Sequence, residues 1–166
     1  MKALVLGIGR MGTAISWSMD KLGFEVFGMD TWADAGKKMP EGTTFIHVEN
    51  VEKIFEWVVH NGHPDVVISS LPYHQTEEVG TWCVDNGVRY CDLGGRVDVS
   101  KNINEWALKK ATKPVFTDLG LAPGWVNILA EQGCKEIHRQ AEDVEMMVGG
   151  IPGIPMNPPL NYSVTW

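Results

Sequence analysis

The feature that most constrains the fold is a glycine-rich turn at the N-terminus, in the sequence MKALVLGIGRMG. The apolar stretch Ala3–Leu6 predicts a short buried strand, and a helical pattern begins directly after the glycines. Gly7, Gly9 and Gly12 form the pattern G-x-G-x-x-G. Gly7 permits the tight turn out of the strand, Gly9 leaves room for a phosphate beside the backbone, and Gly12 allows the helix to pack closely on the sheet. This strand–turn–helix unit is typical of dinucleotide-binding α/β folds.

An acidic residue stands where such a fold recognises the ribose. Phe24–Met29 predicts a second strand, and Asp30 follows it, about 20 positions beyond Gly12. A carboxylate there accepts hydrogen bonds from both ribose hydroxyls and repels a 2′-phosphate, so we expect NAD rather than NADP. Arg10 would offset part of this repulsion and admit NADP. The predicted cofactor-binding residues of this region are Gly7, Ile8, Gly9, Arg10, Met11, Gly12 and Asp30.

Strand and helix patterns alternate along the rest of residues 1–140. Four further strands are predicted at Thr43–Val48, Asp65–Ser70, Val88–Leu93 and Val115–Leu119. Apolar residues at helical spacing lie between them, with Ser100 as the cap of one helix, and a last helix is expected from about Gly124 to about Glu136. The alternation predicts an α/β, doubly wound parallel sheet (a Rossmann fold) with strand order 3-2-1-4-5-6. Residues 1–140 would form this NAD(P)-binding domain.

The sequence changes character near Asp143. Val144–Val148 is rich in β-forming residues, and the stretch that follows, residues 149–159, is broken by glycine and proline. Asn161–Trp166 is strand-like again. We expect residues 141–166 to be only the start of a truncated second domain for substrate binding or dimerisation. An exposed strand there would pair with a second copy, which makes this segment the expected contact of a homo-oligomer.

Composition excludes several classes of partner. The formal net charge is −7 and no run of Lys and Arg is present, so we expect no nucleic-acid partner. No apolar run approaches the roughly 20 residues of a membrane span, and we expect no membrane partner. The N-terminus has no signal-peptide pattern, and the three cysteines form no C-x-x-C pair, which together favour a cytoplasmic protein. No metal site is expected, since His60 and His63 are separated by a helix end and lack further ligands.

The loop after the fourth strand has the strongest candidates for proton transfer. Leu71 and Pro72 would line the nicotinamide half of the cofactor, and Tyr73 and His74 are the candidate acid/base residues by type. The alternative is an ordinary turn with an exposed tyrosine and histidine.

Two later loops are predicted to face the substrate. Asp92 and Arg96 flank a glycine pair after the fifth strand, and the guanidinium is suited to grip a carboxylate. Pro123 and Gly124 lead into the last helix, whose N-terminus suits an anionic group or a carboxamide, with Asn127 in its first turn. The alternative for each loop is a plain surface turn. Neither a Ser-His-Asp order nor a close carboxylate pair is present, so hydrolysis is not indicated.

Three stretches together resemble the saccharopine dehydrogenase / saccharopine reductase family, which includes lysine 6-dehydrogenases and carboxynorspermidine and homospermidine synthases. They are Gly7–Gly12, the sequence LGLAPG at 119–124 with Asn127, and the stretch from Gly149-Gly150-Ile151-Pro152 through Asn157-Pro158 to Tyr162 and Trp166, with Leu71-Pro72-Tyr73 in addition. The resemblance implies an NAD(P)-dependent oxidoreductase that transfers hydride at a C–N bond of an amino-acid or polyamine adduct. It also implies a much longer protein, whose remainder supplies most of the substrate pocket.

Two other interpretations stay open. The chain would act as a non-catalytic dinucleotide-binding module, or as a truncated product that a partner chain completes. It would alternatively be a reductase of cyclic imines from another short Rossmann family, which the proline-rich C-terminal motif argues against.

Overall fold

The computed structural model describes residues 1–137 and 141–146 and contains one six-stranded, fully parallel sheet. The strands are β1 (Lys2–Leu6), β2 (Glu25–Asp30), β3 (Thr44–His47), β4 (Val66–Ser69), β5 (Arg89–Asp92) and β6 (Val115–Phe116). Their order is β3-β2-β1-β4-β5-β6. The predicted doubly wound Rossmann fold and its strand order 3-2-1-4-5-6 are therefore confirmed.

Five α-helices and one 3₁₀ helix connect and flank the strands. The α-helices are α1 (Arg10–Lys21), α2 (Val51–Asn61), α3 (Tyr73–Asp85), α4 (Val97–Lys110) and α5 (Trp125–Glu136). The 3₁₀ helix, Ala33–Lys38, joins β2 to β3 in place of a full helix, and the sequence patterns did not predict it. The Asn50 side chain accepts the Lys53 N–H and so caps α2.

Helices cover both faces of the sheet around β1 and β2, which explains why these strands are almost continuously apolar. On one face, side chains of α1 and the 3₁₀ helix pack on Val5 and Val26. On the other face, α2, α3 and α4 pack on Leu4, Leu6 and Val67. The two layers hold β1 and β4 firmly in the centre, and the carboxyl ends of these strands carry the loops discussed below.

Two predictions about the β5 to β6 region were wrong. The strand predicted as Val115–Leu119 stops at Phe116, because Asp118 adopts a left-handed φ of 61° and gives its N–H to the Asp92 side chain. Ser100 does not cap α4, since the helix already begins at Val97. Its hydroxyl instead donates to the Asp118 carboxylate over 2.8 Å.

Helix α5 differs from the other helices because it has no buried residue. Trp125, Ile128 and Leu129 lie about half exposed on it. Because α5 buries no side chain, it gains little stability from packing on the described part of the domain. An isolated helix of this length is marginal in water. Residues 141–146 form no strand, and the remaining positions predicted to begin a second domain lie outside the described residues. The proposed domain boundary stays a prediction.

Candidate functional site

The glycine turn has the close packing that its three glycines predict. Gly7 has a φ of 81° and donates its N–H to the Met29 carbonyl over 2.9 Å. A Cβ on Gly12 would lie 1.9 Å from the Gly7 carbonyl oxygen, so only glycine allows α1 to sit this close to the turn. Gly12 thus sets how near the first turn of α1 comes to the end of β1.

Gly9 faces open space and begins α1. A Cβ added to it would meet no atom within 4 Å, and its backbone is extended, with a φ of −81°. Within the described residues, no side chain caps α1. The first amides of a helix lack intrahelical acceptors and carry the positive end of the helix dipole. An exposed helix N-terminus beside an open glycine fits a pyrophosphate.

Asp30 links the second strand to the glycine turn. Its Oδ2 accepts the Ile8 N–H over 2.6 Å, and its Oδ1 accepts the Trp32 N–H over 2.8 Å. Each carboxylate oxygen has two lone pairs, so both can accept a further hydrogen bond from a ribose hydroxyl. The carboxylate is half-buried and already oriented before any ligand arrives.

Ile8, one of the predicted cofactor-binding residues, faces the core and not the open side of the turn. Its side chain is buried with Val5, Val26 and Ala35, and its N–H is taken by Asp30. Its side chain therefore anchors the turn in the hydrophobic core. Met11, by contrast, is about half exposed on the first turn of α1, where a bound ligand can reach it.

Trp32 and Lys38 form a feature that the sequence patterns did not identify. The Trp32 indole is about half exposed beside Asp30, and the Lys38 ammonium lies 4.5 Å from its ring centroid. An exposed aromatic ring two residues after Asp30 is the sequence signal that would have found it. The pair places a flat apolar surface and a positive charge beside Asp30, at the carboxyl end of β2.

The loop after β4 contacts the glycine turn directly. The Ser70 hydroxyl donates to the Gly7 carbonyl over 2.6 Å, and a Cβ on Gly7 would lie 3.2 Å from a methyl group of Leu71. Pro72 is exposed and precedes α3. The structure thus places Leu71 beside the turn, as the order of the central strands requires, and Pro72 follows it directly. Ser70 was not singled out in the sequence, although it directly follows the strand next to β1.

Tyr73, His74 and Arg96 are brought together across two loops. The Tyr73 and His74 rings meet edge to face with centroids 5.8 Å apart, and both side chains are exposed. The Arg96 guanidinium lies 5.2 Å from the Tyr73 ring centroid. It also pairs with Asp98, whose carboxylate accepts its Nε–H over 2.8 Å. This hydrogen bond and the charge of Asp98 raise the pKa of Arg96.

A ligand carboxylate would compete with Asp98 for Arg96. Both side chains of this pair are about half exposed, and surface pairs of this kind contribute little to stability. An incoming carboxylate can therefore displace Asp98 at small cost, with the guanidinium already oriented by the Tyr73 ring.

Asp92 does not face the substrate side directly, contrary to the prediction. It is 2% exposed, and its Oδ1 accepts two backbone N–H groups, from Gly94 over 2.8 Å and from Asp118 over 3.0 Å. Its Oδ2 has no hydrogen-bond partner among the described residues. Burial, above all, raises the pKa of this carboxyl, and the two N–H groups oppose that rise.

The loop that leads into α5 lies beside the glycine pair. A Cβ on Gly94 would lie 2.8 Å from the Pro123 ring, and Gly124 has a φ of 127°. Asn127 accepts the Gly124 N–H over 3.1 Å through its Oδ1, so its side chain caps α5, and its amide nitrogen and the second lone pair of Oδ1 remain for a ligand. A shallow cavity of about 520 Å³ opens between α4 and this loop, and Arg96, Ser100, Asp118 and Pro123 line it.

Residues 1–137 and 141–146 contain no cluster of three or more His, Cys, Asp or Glu side chains that could hold a metal ion. No helix in the same ranges has the length and apolar character needed to cross a membrane.

The structure is similar to several solved dehydrogenases. Yeast (Saccharomyces cerevisiae) saccharopine dehydrogenase (L-Glu forming) matches with a TM-score of 0.70 and 19% identity over 82% of this chain. The WlbA dehydrogenase of Chromobacterium violaceum, solved with NADH and UDP-GlcNAcA, matches with a TM-score of 0.62 and 17% identity over 82% of this chain. That of Thermus thermophilus, solved with NAD and α-ketoglutarate, matches with a TM-score of 0.55 and 18% identity over 81% of it. At these identities the likeness shows the fold.

This chain is shorter than those proteins. It covers 31% of the yeast enzyme, 40% of the Chromobacterium protein and 47% of the Thermus protein. Residues 3–115, more than half of the chain, match the family model described as the saccharopine dehydrogenase NADP binding domain. The chain therefore belongs to the saccharopine dehydrogenase family and contains its NAD(P)-binding domain.

Proposed function

We propose that this domain binds NAD and serves as the cofactor half of an oxidoreductase that acts on a C–N bond of an amino-acid or polyamine adduct. The observation that carries the proposal is the 2.6 Å hydrogen bond between the Ile8 N–H and Asp30 Oδ2. It joins the phosphate-binding turn to the ribose-binding acid, so both ends of an ADP group meet a preformed surface.

The preference for NAD rests on the charge of Asp30. A 2′-phosphate would approach this carboxylate, and desolvation strengthens the repulsion between like charges. Lys38 beside Trp32 and Arg10 in the turn act in the opposite direction. The family model is described as NADP-binding, which supports NADP as the second candidate. We propose that Asp30 prevails, because its carboxylate is held in place by two amides.

Residues at the carboxyl ends of β4, β5 and β6 would serve the reaction. When bound, the nicotinamide supplies or accepts a hydride. Tyr73 or His74 would move a proton at the substrate nitrogen, since both rings are exposed beside Pro72. Arg96 would hold a carboxylate of the substrate. The α5 N-terminus near Pro123 and Gly124 would bind a second anionic group.

Titration of the chain with NADH and NADPH tests the cofactor proposal. A Cβ on Gly9 would meet no atom within 4 Å, so Gly9→Trp should direct its ring into the open space beside α1 and abolish binding while the melting temperature stays close to that of the parent. Asp30→Ala should shift the ratio of the NADH and NADPH affinities toward NADPH by tenfold or more, which is about 1.4 kcal/mol.

Asp34→Ala is the matched control for Asp30→Ala. It removes one exposed acid from the neighbouring 3₁₀ helix and leaves both Asp30 hydrogen bonds intact. An equal shift in both variants would mean that overall charge decides the preference. A folded chain that binds neither dinucleotide would overturn the proposal.

A second function has one observation in its favour. Helix α5 has no buried side chain, as expected if another protein surface covers it in the working assembly. The chain would then be a dinucleotide-binding module that a partner completes. NADH binding without turnover of any imine formed from an amine and a keto acid would favour this function over the first.

A further inference from the structure

We propose that Asp92 is a positioning residue that holds the two substrate-side loops in place for the nicotinamide half of the cofactor. The proposal rests on the dinucleotide binding proposed above and adds a role for a residue that cannot touch the ligand itself. At 2% exposure, its carboxylate acts only through the groups it contacts.

One oxygen atom joins two loops that are far apart in the chain. Asp92 Oδ1 accepts the N–H of Gly94, from the loop after β5, and the N–H of Asp118, from the loop after β6. The Asp92 carbonyl accepts a third N–H, from Leu119, over 2.8 Å. Asp92, at the end of strand β5, therefore fixes the positions of both loops.

One of the two clamped residues has a backbone conformation that needs support. Asp118 has a φ of 61°, which is uncommon for a residue other than glycine, whereas Gly94 adopts its φ of 77° without strain. The Ser100 hydroxyl on α4 fixes the Asp118 side chain from the opposite direction. With the hydrogen bonds of Asp92 removed, nothing else described holds the Asp118 N–H in this orientation.

The clamped loops lie on the half of the sheet that receives nicotinamide. In a doubly wound fold, the adenosine lies over the half formed by the first three strands, and the other mononucleotide over the half that begins with β4. Gly94 leads through Gly95 to Arg96, and Asp118 leads to Pro123. Asp92 thus positions the two loops that border the nicotinamide half of the site and has no role in the adenosine half.

Burial of the carboxylate points in the same direction. A buried carboxylate costs desolvation energy, and the Tyr90 hydroxyl compensates only part of it, since no hydrogen-bond partner for Oδ2 is found among the described residues. A neutral apolar residue would avoid that cost, yet it would leave the Gly94 and Asp118 N–H groups without their acceptor. A carboxylate at this position is therefore best explained by what Oδ1 holds.

Calorimetric titration of the full chain with ADP-ribose and with NADH separates the two halves of the site. ADP-ribose lacks nicotinamide, so the ratio of the two affinities isolates the nicotinamide contribution. Asp92→Ala should reduce NADH affinity about tenfold and change ADP-ribose affinity less than twofold. Asp92→Asn keeps an acceptor oxygen for both amides and should restore the ratio to within about threefold of the parent.

Asp65→Ala is the matched control. The Asp65 carboxylate also accepts a backbone N–H, that of Lys2, over 2.7 Å, but at the amino ends of the strands, opposite the ends that carry the clamped loops. It should leave the ratio unchanged. A ratio that stays at the parent value in a folded Asp92→Ala protein would overturn the proposal, and so would equal affinities of the parent for ADP-ribose and NADH.

Hydrogen exchange decides the outcome if Asp92→Ala does not fold. In the parent and in Asp92→Asn, the amides of Gly94 and Asp118 should exchange at least tenfold more slowly than that of Gly95. Fast exchange at both sites overturns the proposal. Failure of ADP-ribose to bind the parent would instead count against the proposed dinucleotide function, so the two failures are distinguishable.

Discussion

Gly12 sits so close to Gly7 that a methyl group on it would lie 1.9 Å from the Gly7 carbonyl oxygen. Gly12→Ala must therefore displace α1 or the turn, and we expect a loss of about 2 kcal/mol in the free energy of unfolding. Dinucleotide affinity should fall as well. Gly9→Ala is the matched control, because its Cβ meets no atom within 4 Å, and it should cost less than about 1 kcal/mol. Urea unfolding measures both, and equal costs would contradict the assignment of the close contact to Gly12.

Ser70 should contribute to stability through the glycine turn. Its hydroxyl donates to the Gly7 carbonyl over 2.6 Å, so Ser70→Ala leaves that oxygen short of a partner and should cost about 1 kcal/mol. Ser18→Ala removes a comparable hydroxyl that donates to Ala14 O on the exposed side of α1, and it should change stability by less than about 0.5 kcal/mol. Thermal unfolding of the two variants, side by side, checks the difference.

Two of the three cysteines should be unreactive in the folded chain. Burial raises the pKa of Cys91 to about 11, and it raises the pKa of Cys83 further. At pH 8 about one Cys91 side chain in a thousand is then a thiolate, the form that attacks a disulfide reagent. We expect Ellman's reagent to label one thiol quickly, at Cys134, and all three in urea. Rapid labelling of any thiol in native Cys134→Ser would show that this account is wrong.

The stability difference between the parent and Asp92→Asn should depend on pH. Burial raises the folded-state pKa of Asp92 above its unfolded value, so ionisation opposes folding. The penalty is absent below the unfolded pKa and grows as pH rises to the folded pKa. The parent should therefore lose stability relative to Asp92→Asn over that window and then reach a plateau. Urea unfolding of both proteins from pH 4 to pH 8 tests the sign.

The strand order could be predicted because each central strand carries a local apolar signal and right-handed crossovers leave few topologies. The glycine turn and Asp30 were predictable for the same reason, since their spacing is local. The end of β6 was not, because it depends on a hydrogen bond between Asp92 and Asp118, 26 residues apart. The burial of Asp92 was missed for the same reason: its residue type suggests a polar surface, while its position at the end of a central strand places it inside.

The residues predicted to face the substrate show more clearly that sequence spacing alone does not predict contacts between loops. Tyr73 and Arg96 come from different loops, and only the fold shows that the guanidinium lies over the ring. Asn127 has the right position for a ligand contact, yet its oxygen is used to cap α5. The type of a loop residue indicates which contacts with a ligand it could make. Its hydrogen bonds within the fold decide whether its atoms are available for those contacts.

The double hydrogen bonding of Asp30 has a consequence for engineering. The carboxylate that would discriminate between the two dinucleotides is also the acceptor for two backbone amides, one of them in the phosphate turn. Selectivity and scaffold rigidity are thus coupled at a single position. Replacing Asp30 in order to admit NADP would also remove the acceptor of the Ile8 N–H, and so would loosen the turn proposed to bind the pyrophosphate. A successful redesign would need a second substitution that returns an acceptor to the Ile8 amide.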